Sequence, residues 1–332
     1  MPHPDPAELT IPRLTLPFPA REHPQAQEIS DDTDQWMRDV GLIDSPEREK
    51  HLVGGRISHW FPSLVEHGDP EALQVCGRLV VGLTLADDWI AEGHGARQGD
   101  LALAMTEFIR HDHAGRLLEC GADAGILPNI LRDLIRQLRT LATADQVMRY
   151  LWLMSGFYLA ISTESAHMHQ KVVPALADYR RLRGLSSAME PCFVLSEFAH
   201  GVRTPLETVM RPEALKLSGL VGYLGGAAND LIGLRRDLSR GDTWSPVHFL
   251  THHEQCTYQE AVSLLVDDFY RHLQDFTDTA DALRAADPQH AAPYIEIAQN
   301  MLAGHTAWTY SSARYTMEGW HDPVQPQHLG NR

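Results

Sequence analysis

The 332-residue sequence predicts an all-α protein, and three observations carry that expectation. From about Asp32 to Trp320, apolar residues recur at helical spacing, broken by short polar or Gly/Pro punctuation. Strand signals are missing: no repeated period-two runs of β-branched residues are joined by Asn-Gly or Asp-Gly turns. The composition, 43% hydrophobic and 22% charged, is ordinary for a globular chain with material for a large core.

In chain order, Pro2, Pro4, Pro6, Pro12, Pro17, Pro19 and Pro24 make residues 1–30 an extended proline-rich arm. Periodicity then places helices at 32–41, 46–61, 70–92, 98–118, 127–140, 143–168, 174–183, 188–199, 204–209, 212–239, 257–284 and 291–316. Residues 31–320 form one helical domain, and 321–332 read as a polar, flexible tail. Cys76, Cys120, Cys192 and Cys256 show no ligand spacing and read as small buried hydrophobes. No secretory signal opens the chain and no apolar stretch is long enough to span a bilayer. These features lead us to expect a reduced, cytoplasmic protein without stable membrane insertion, monomeric or homodimeric. A formal net charge of −16 argues against nucleic acid and anionic surfaces, though not against a small anion held through metal ions.

The informative feature is ADDWIAEG (86–93), at the end of an otherwise apolar helix. A helix C-terminus carries partial negative charge and tolerates carboxylates poorly, yet Asp87, Asp88 and Glu92 crowd there. A second cluster, NDLIGLRRD (229–237), follows the small-residue run LVGYLGGAA. Its Asn229, Gly233 and Asp237 share one helix face, flanked by Asp230 and Arg236. Oxygen ligands with open coordination positions suit Mg²⁺, which is usually completed by water and phosphate oxygens. Arginines suited to phosphate stand close by: Arg180, Arg181 and Arg183, Arg235 and Arg236, and Arg314 beside Tyr315. The His-Asp pair in RHDHAG (110–115) has no matching partner spacing and reads as a solvated helix segment.

DDWIAE resembles the aspartate-rich motif of class I terpene synthases in its bacterial form, and NDLIGLRRD resembles their second metal motif, Asn-Asp-x-x-Ser-x-x-x-Glu. ESAHMHQKVVPALADYRRLR (164–183) is similar to the stretch running from a helix glutamate to the family's diphosphate-sensing arginine. WTYSSARY (308–315) resembles the C-terminal Arg-Tyr pair with its upstream tryptophan. The resemblance implies a helical bundle around a central active-site cavity and a cyclase that ionises a linear isoprenyl diphosphate. It implies Mg²⁺, three ions, with Mn²⁺ as a substitute, held by Asp87, Asp88, Glu92, Asn229, the Gly233 position and Asp237. It further implies Arg183, Arg236, Arg314 and Tyr315 on the diphosphate, with Ser186 and Ser187 linking diphosphate sensing to ionisation. Trp308, Phe61 and Phe157 stand as substrate-side aromatics, with Trp60, Trp89 and Tyr223 as further cavity candidates. Gly233 replaces the usual Ser or Thr and Asp237 the usual Glu, which alters the expected third ion site. By family base rate a C15 substrate ranks first, then C20, then C10. The alternatives are an isoprenyl chain-elongating synthase, which would need two Asp-rich motifs, and a non-catalytic helical scaffold.

Overall fold

A computed structural model describes residues 5–92 and 127–315, and no strand occurs among the described residues. The helices are α1 (Ala26–Asp39), α2 (Pro46–Leu52), α3 (Ile57–Trp60), α4 (Pro70–Glu92), α5 (Leu127–Leu141), α6 (Ala144–Gln170), α7 (Leu176–Ser186), α8 (Met189–Ala199), α9 (Leu206–Val209), α10 (Pro212–Ser239), α11 (Pro246–Glu254), α12 (Tyr258–Ala286) and α13 (Ala291–Ser311). The segment expected to be helical at 98–118, RHDHAG, Cys120 and the tail after Tyr315 lie outside the described residues.

Local chemistry sets the boundaries. Proline occupies the first turn of α2, α10 and α11, where its missing N–H has no intrahelical partner to lose. Capping boxes open α6 (Thr143 with Gln146) and α12 (Thr257 with Glu260). Lys171 in the left-handed region (φ 56°) ends α6, and Ala188 (φ 58°) breaks α7 from α8.

Three expectations need correction. The single helix at 46–61 is two, because Gly54 and Gly55 interrupt it and Arg56 takes a left-handed φ of 55° before α3. Helix α1 starts at Ala26 rather than 32, inside the stretch assigned to the arm: Pro24 is its last proline, so nothing after it stops a helix. Helix α11 was not expected; at nine residues it is shorter than a clear periodic signal, although Ser245-Pro246 marks its start.

Helix α10 is the axis of the fold, packing against α7, α8, α12 and α13. It is apolar around most of its circumference, with Leu220 to Ala228 continuously buried, the pattern of a fully enclosed helix. Glycines let its neighbours in closely. A Cβ on Gly222 would sit 2.5 Å from the Gly184 carbonyl oxygen of α7, and one on Gly225 2.5 Å from Met189 Cγ of α8. The N-terminal arm lies across the bundle with Leu9 and Leu14 buried. Side chains of the helices hold its backbone: Gln259 Oε1 accepts from Thr10 N (2.8 Å), the Tyr310 hydroxyl from Leu14 N (2.8 Å) and Asn300 Oδ1 from Arg21 N (2.9 Å). No helix among the described residues is long and apolar enough to cross a membrane. Cys76 and Cys192 are buried as expected, but Cys256 is only half-buried, because it lies in the short link between α11 and α12.

Candidate active site

The C-terminal end of α4 answers the question its carboxylates raise: positive groups sit against it. Arg314 Nη2 donates to Asp88 Oδ1 (3.2 Å), and His51 Nε2 of α2 stands 2.8 Å from Asp88 Oδ2 and 3.1 Å from Arg314 Nη1. Burial works upward on Asp88, but the His51 bond and Arg314 outweigh it and hold the carboxyl below its ordinary value. Its neighbour behaves oppositely. Burial first, then the charges of Asp88 and Glu164, push Asp87 up to about 7. Among the described residues no cation forms an ion pair with Asp87. Glu92 is the last residue of α4, and its side chain lies outside the described set.

The second cluster lies on α10, and its face turns toward α13 and the residues that follow it. Thr309 Oγ1 donates to Asn229 Oδ1 (3.3 Å). A Cβ on Gly233 would meet Tyr315 Cδ1 at 3.2 Å and Asp237 Oδ2 at 3.4 Å, so this position looks onto the space between Tyr315 and Asp237. Arg236 Nε donates to Asp237 Oδ1 (2.8 Å), its Nη1 donates to the Arg314 carbonyl, and its guanidinium stands 5.4 Å from the Tyr315 ring centroid. Asp230 is gripped by Arg183 through both prongs, Nε to Oδ2 and Nη2 to Oδ1, each 3.0 Å, and takes a further bond from the Tyr179 hydroxyl. Burial and the carboxylates Asp237, Glu164 and Asp242 push Asp230 upward, and the charge of Arg236 opposes them.

Glu164 of α6 stands between the two clusters and was not among the sequence-selected site residues. Burial raises its pKa, while Arg183, Ser186 and Trp244 work to lower it. Ser186 Oγ donates to Glu164 and lies 3.5 Å from Arg183 Nη1, so sensor arginine, helix break and buried carboxylate form one connected group. Its only signal in the sequence was its place at the head of the segment leading to Arg183. Arg180 and Arg181 point elsewhere, Arg180 onto buried Asp268 and Arg181 onto exposed Asp178.

Below the carboxylates lies a cavity that opens to solvent. Asp87, Asn229, Arg314 and Tyr315 stand at its polar end with Ser186 and Ser187; Trp60, Phe157, Trp308 and His305 line it with Leu83, Thr84 and Cys192. Its mixture of apolar wall and convergent polar groups is that of a ligand pocket. Two aromatic assignments are corrected. Phe61 is fully buried behind the wall: successive helical residues point about 100° apart, so with Trp60 on the cavity Phe61 turns into the core. Tyr223 faces away and donates its hydroxyl to Asp268, because the face of α10 that carries Asn229 is not the face that carries Tyr223. The Trp89 side chain lies outside the described set.

The donor set suits a hard divalent cation. Asp87 is a carboxyl whose burial and repulsion by Asp88 and Glu164 a cation would relieve, and Asn229 adds a neutral oxygen on the same cavity. Among the described residues no three His, Cys, Asp or Glu side chains form a finished metal cage.

An all-helical bundle with acidic clusters on two helices facing one apolar cavity defines a class of enzyme, and comparison with known proteins places this chain in it. Residues 78–275 match the family described as terpene synthase family 2, C-terminal metal binding, and the chain belongs to that class I terpene synthase family. Pristinol synthase of Streptomyces pristinaespiralis is 22% identical over 95% of this chain and 87% of its own length. 4-epi-Cubebol synthase of Streptosporangium roseum, described as (2E,6E)-farnesyl diphosphate cyclising, is 21% identical over 96% of both chains. The crystal structure of 2-methylisoborneol synthase from Streptomyces coelicolor A3(2), in complex with Mg²⁺ and 2-fluoroneryl diphosphate, superposes with a TM-score of 0.82. That match has 20% identity and covers 93% of this chain and 97% of that one, a likeness of fold.

Proposed function

We propose that the protein is a Mg²⁺-dependent terpene cyclase that ionises a linear isoprenyl diphosphate, farnesyl diphosphate first in rank, and releases diphosphate and a terpene hydrocarbon or alcohol. The observation that carries this reading is the convergence of Asp87, Asn229, Arg314 and Tyr315 on the mouth of a cavity walled by Trp60, Phe157 and Trp308. The C15 preference is supported by the farnesyl diphosphate named for the Streptosporangium relative.

Asp87, Asp88, Glu92, Asn229 and Asp237 would hold Mg²⁺, which when bound would supply Lewis-acid stabilisation of the leaving diphosphate. Arg183, Arg236 and Arg314 contribute planar donors that gain strength as negative charge develops on the same group. Each of them is already paired in this structure, with Asp230, Asp237 and Asp88 respectively, so a phosphate ligand would exchange one anion for another rather than meet bare cations. Tyr315 adds a hydroxyl beside Arg314, and its ring packs edge-on against Trp308 with centroids 5.7 Å apart. Ser187 lines the cavity at the α7–α8 break, one turn beyond Arg183, and so couples the diphosphate end to the hydrocarbon end. The aromatic faces of Trp60, Phe157 and Trp308 stabilise cationic carbon by their quadrupoles, and the enclosed wall delays capture by water.

Incubating purified protein with Mg²⁺ and geranyl, farnesyl or geranylgeranyl diphosphate, while following diphosphate release and extracted products, tests the proposal. Cyclic products from farnesyl diphosphate support it. A longer-chain diphosphate formed when isopentenyl diphosphate is added would assign chain elongation, and no turnover of any substrate would leave a scaffold.

A further inference from the structure

His305, in the middle of α13, is 3% exposed and lines the cavity, and none of the chemistry described so far uses it. Its two ring nitrogens face two different elements. Trp60 Nε1 of α3 stands 2.9 Å from Nδ1, and the Gly225 carbonyl oxygen of α10 stands 3.1 Å from Nε2. An indole N–H can only donate and a carbonyl can only accept, which assigns the tautomer: the proton is on Nε2 and the lone pair on Nδ1. Burial, aided by the charge of Arg183, pushes the imidazole down to about 4, so the ring is neutral near pH 7.

The arrangement disposes of three polar groups at once. The Gly225 carbonyl keeps a lone-pair direction beyond its own helix bond, and His305 Nε2–H occupies it. The Nδ1 lone pair, the most basic site on this wall, is occupied by Trp60. The indole N–H, which would otherwise offer water a partner, is spent on the imidazole. The same bond fixes the Trp60 ring edge-on to His305 (centroids 5.9 Å, 87°) and to Trp308 (6.5 Å, 74°). Removing the imidazole would leave a void with a carbonyl acceptor and an N–H donor facing it. Two polar partners and room are what an ordered internal water needs.

We propose that His305 is a positioning residue that keeps the deep wall of the cavity free of water, aims the Trp60 ring, and thereby sets how the cation is quenched. The proposal rests on the cyclase reading above. With the wall dry, the final cation passes a C–H proton to the released diphosphate and the freed electron pair becomes a C=C bond, giving a hydrocarbon. With water beside Trp60, a water lone pair adds to the cationic carbon and the resulting oxonium passes a proton to the released diphosphate, giving an alcohol.

The test uses wild type, His305→Ala, His305→Asn and Trp60→Phe with the isoprenyl diphosphate that wild type turns over, in ¹⁸O-water. Two readouts are followed: the rate of diphosphate release and the ratio of ¹⁸O-labelled alcohol to hydrocarbon. His305→Ala is expected to keep diphosphate release within about threefold of wild type while raising the ratio at least about fivefold, a split between ionisation and quenching. Asn, whose amide offers one donor and one acceptor, should fall between Ala and wild type. Trp60→Phe keeps an aromatic ring but removes the indole N–H with part of the ring and bares Nδ1, so it should raise the ratio from the other partner and serves if the Ala variant does not fold. An unchanged ratio in His305→Ala and Trp60→Phe overturns the proposal, as does a fall in release with the ratio unmoved, which assigns His305 to packing alone. Absence of diphosphate release by wild type from every isoprenyl substrate overturns the cyclase reading, and this one with it, before any variant is compared.

Discussion

The mouth and the deep wall of the cavity solve opposite electrostatic problems. At the mouth, charges are kept and cross-paired: Asp88 with Arg314 and His51, Asp237 with Arg236, Asp230 with Arg183. Asp87 forms no ion pair among the described residues, and its carboxyl is pushed up to about 7 by burial and by Asp88 and Glu164. On the deep wall the Trp60 N–H, both His305 ring nitrogens and the Gly225 carbonyl are paired with one another, so that Trp60, Phe157 and Trp308 present ring surface. Trp308 follows the rule, spending its own N–H on the Arg56 carbonyl at 2.9 Å. A site that must attract a multiply charged anion and also shelter a cation needs both kinds of surface within one cavity. Rate should therefore answer to changes at the mouth, and product identity and stability to changes on the wall.

The largest expected effect tests that division directly. Asp87→Ala removes the carboxylate that most needs a cation and should cut turnover roughly a thousandfold or more, in line with several kcal/mol of charge stabilisation at the leaving group. Trimming one member of a mutually repelling group relieves the fold, so the variant should melt no lower than wild type in metal-free buffer. Product assay and circular dichroism check the two halves. Retained turnover in this variant, or undiminished turnover of wild type in excess chelator, breaks the assignment of metal to the mouth.

Next come the arginines. Arg183→Lys and Arg314→Lys keep the charge and lose the planar fork, which holds two oxygens of Asp230 in one case and one oxygen of Asp88 in the other. Each should slow ionisation roughly 30- to 1000-fold, corresponding to about 2–4 kcal/mol of lost transition-state contact, with product ratios preserved. Isothermal titration of diphosphate with Mg²⁺ into both variants and wild type gives an independent reading. Binding that is equal in all three would leave these arginines as structural clamps on their carboxylates.

The same division governs what could be read in advance. Mouth residues were legible because their chemistry forces charged types into fixed spacings: Asp87, Asp88, Asn229 and Asp237 announce themselves at helix ends and along one helix face. Glu164 was harder, being a lone carboxylate in a long helix whose partners, Arg183 and Ser186, come about twenty residues later. On the wall, aromatic spacing carries no such information. Phe61 and Tyr223 have the same composition signal as Trp60 and Phe157, and only helix rotation separates core from cavity. His305 was invisible among nineteen histidines, since its role depends on Trp60 and Gly225, each at least eighty positions away. Among the described residues the helices longer than about three turns were legible, apart from the start of α1, while short α3 and α11 were missed, where tertiary packing decides.

The wall has its own pH signature. His305 has a folded pKa of about 4, well below the 6.5 of an unfolded histidine, so the unfolded chain binds more protons in between. Stability conferred by the neutral ring is therefore complete above about pH 6.5 and lost as pH falls toward 4. Over that window the loss is on the order of 3 kcal/mol at full burial, at 1.36 kcal/mol per pKa unit. His59 and His200 are also held low by burial and add slopes of the same sign, so the measurement is a difference. Denaturant melts of wild type and His305→Asn at pH 7, 6, 5 and 4.5 should converge as pH falls. Parallel curves would mean that the imidazole takes up its proton in the folded state as readily as in the unfolded one.

The smallest effect returns to the mouth, at the position where this chain lacks a hydroxyl. Gly233 sits in the interior of α10, where a glycine costs roughly 0.5–1 kcal/mol relative to alanine, so Gly233→Ser should gain a few tenths of a kcal/mol from the backbone alone. The new Cβ meets Asp237 Oδ2 at 3.4 Å, an ordinary contact, and Tyr315 Cδ1 at 3.2 Å, which requires the ring to yield by a few tenths of an ångström. Tyr315 belongs to the short 3-10 turn after α13 and is held by its ring contacts to Trp308 and Arg236, a boundary that can give more readily than the buried helices. The serine oxygen then joins Asn229 and Asp237 on one helix face. If that face holds a metal ion, the Mg²⁺ concentration for half-maximal rate should fall about two- to fivefold, equivalent to roughly 0.5–1 kcal/mol from one added neutral oxygen ligand. A Mg²⁺ titration of initial rate at saturating substrate measures it, beside the melting temperature. A gain in stability with no change in metal requirement would show that the Gly233 face looks onto Tyr315 and not onto an ion, and would move the metal at the mouth toward α4.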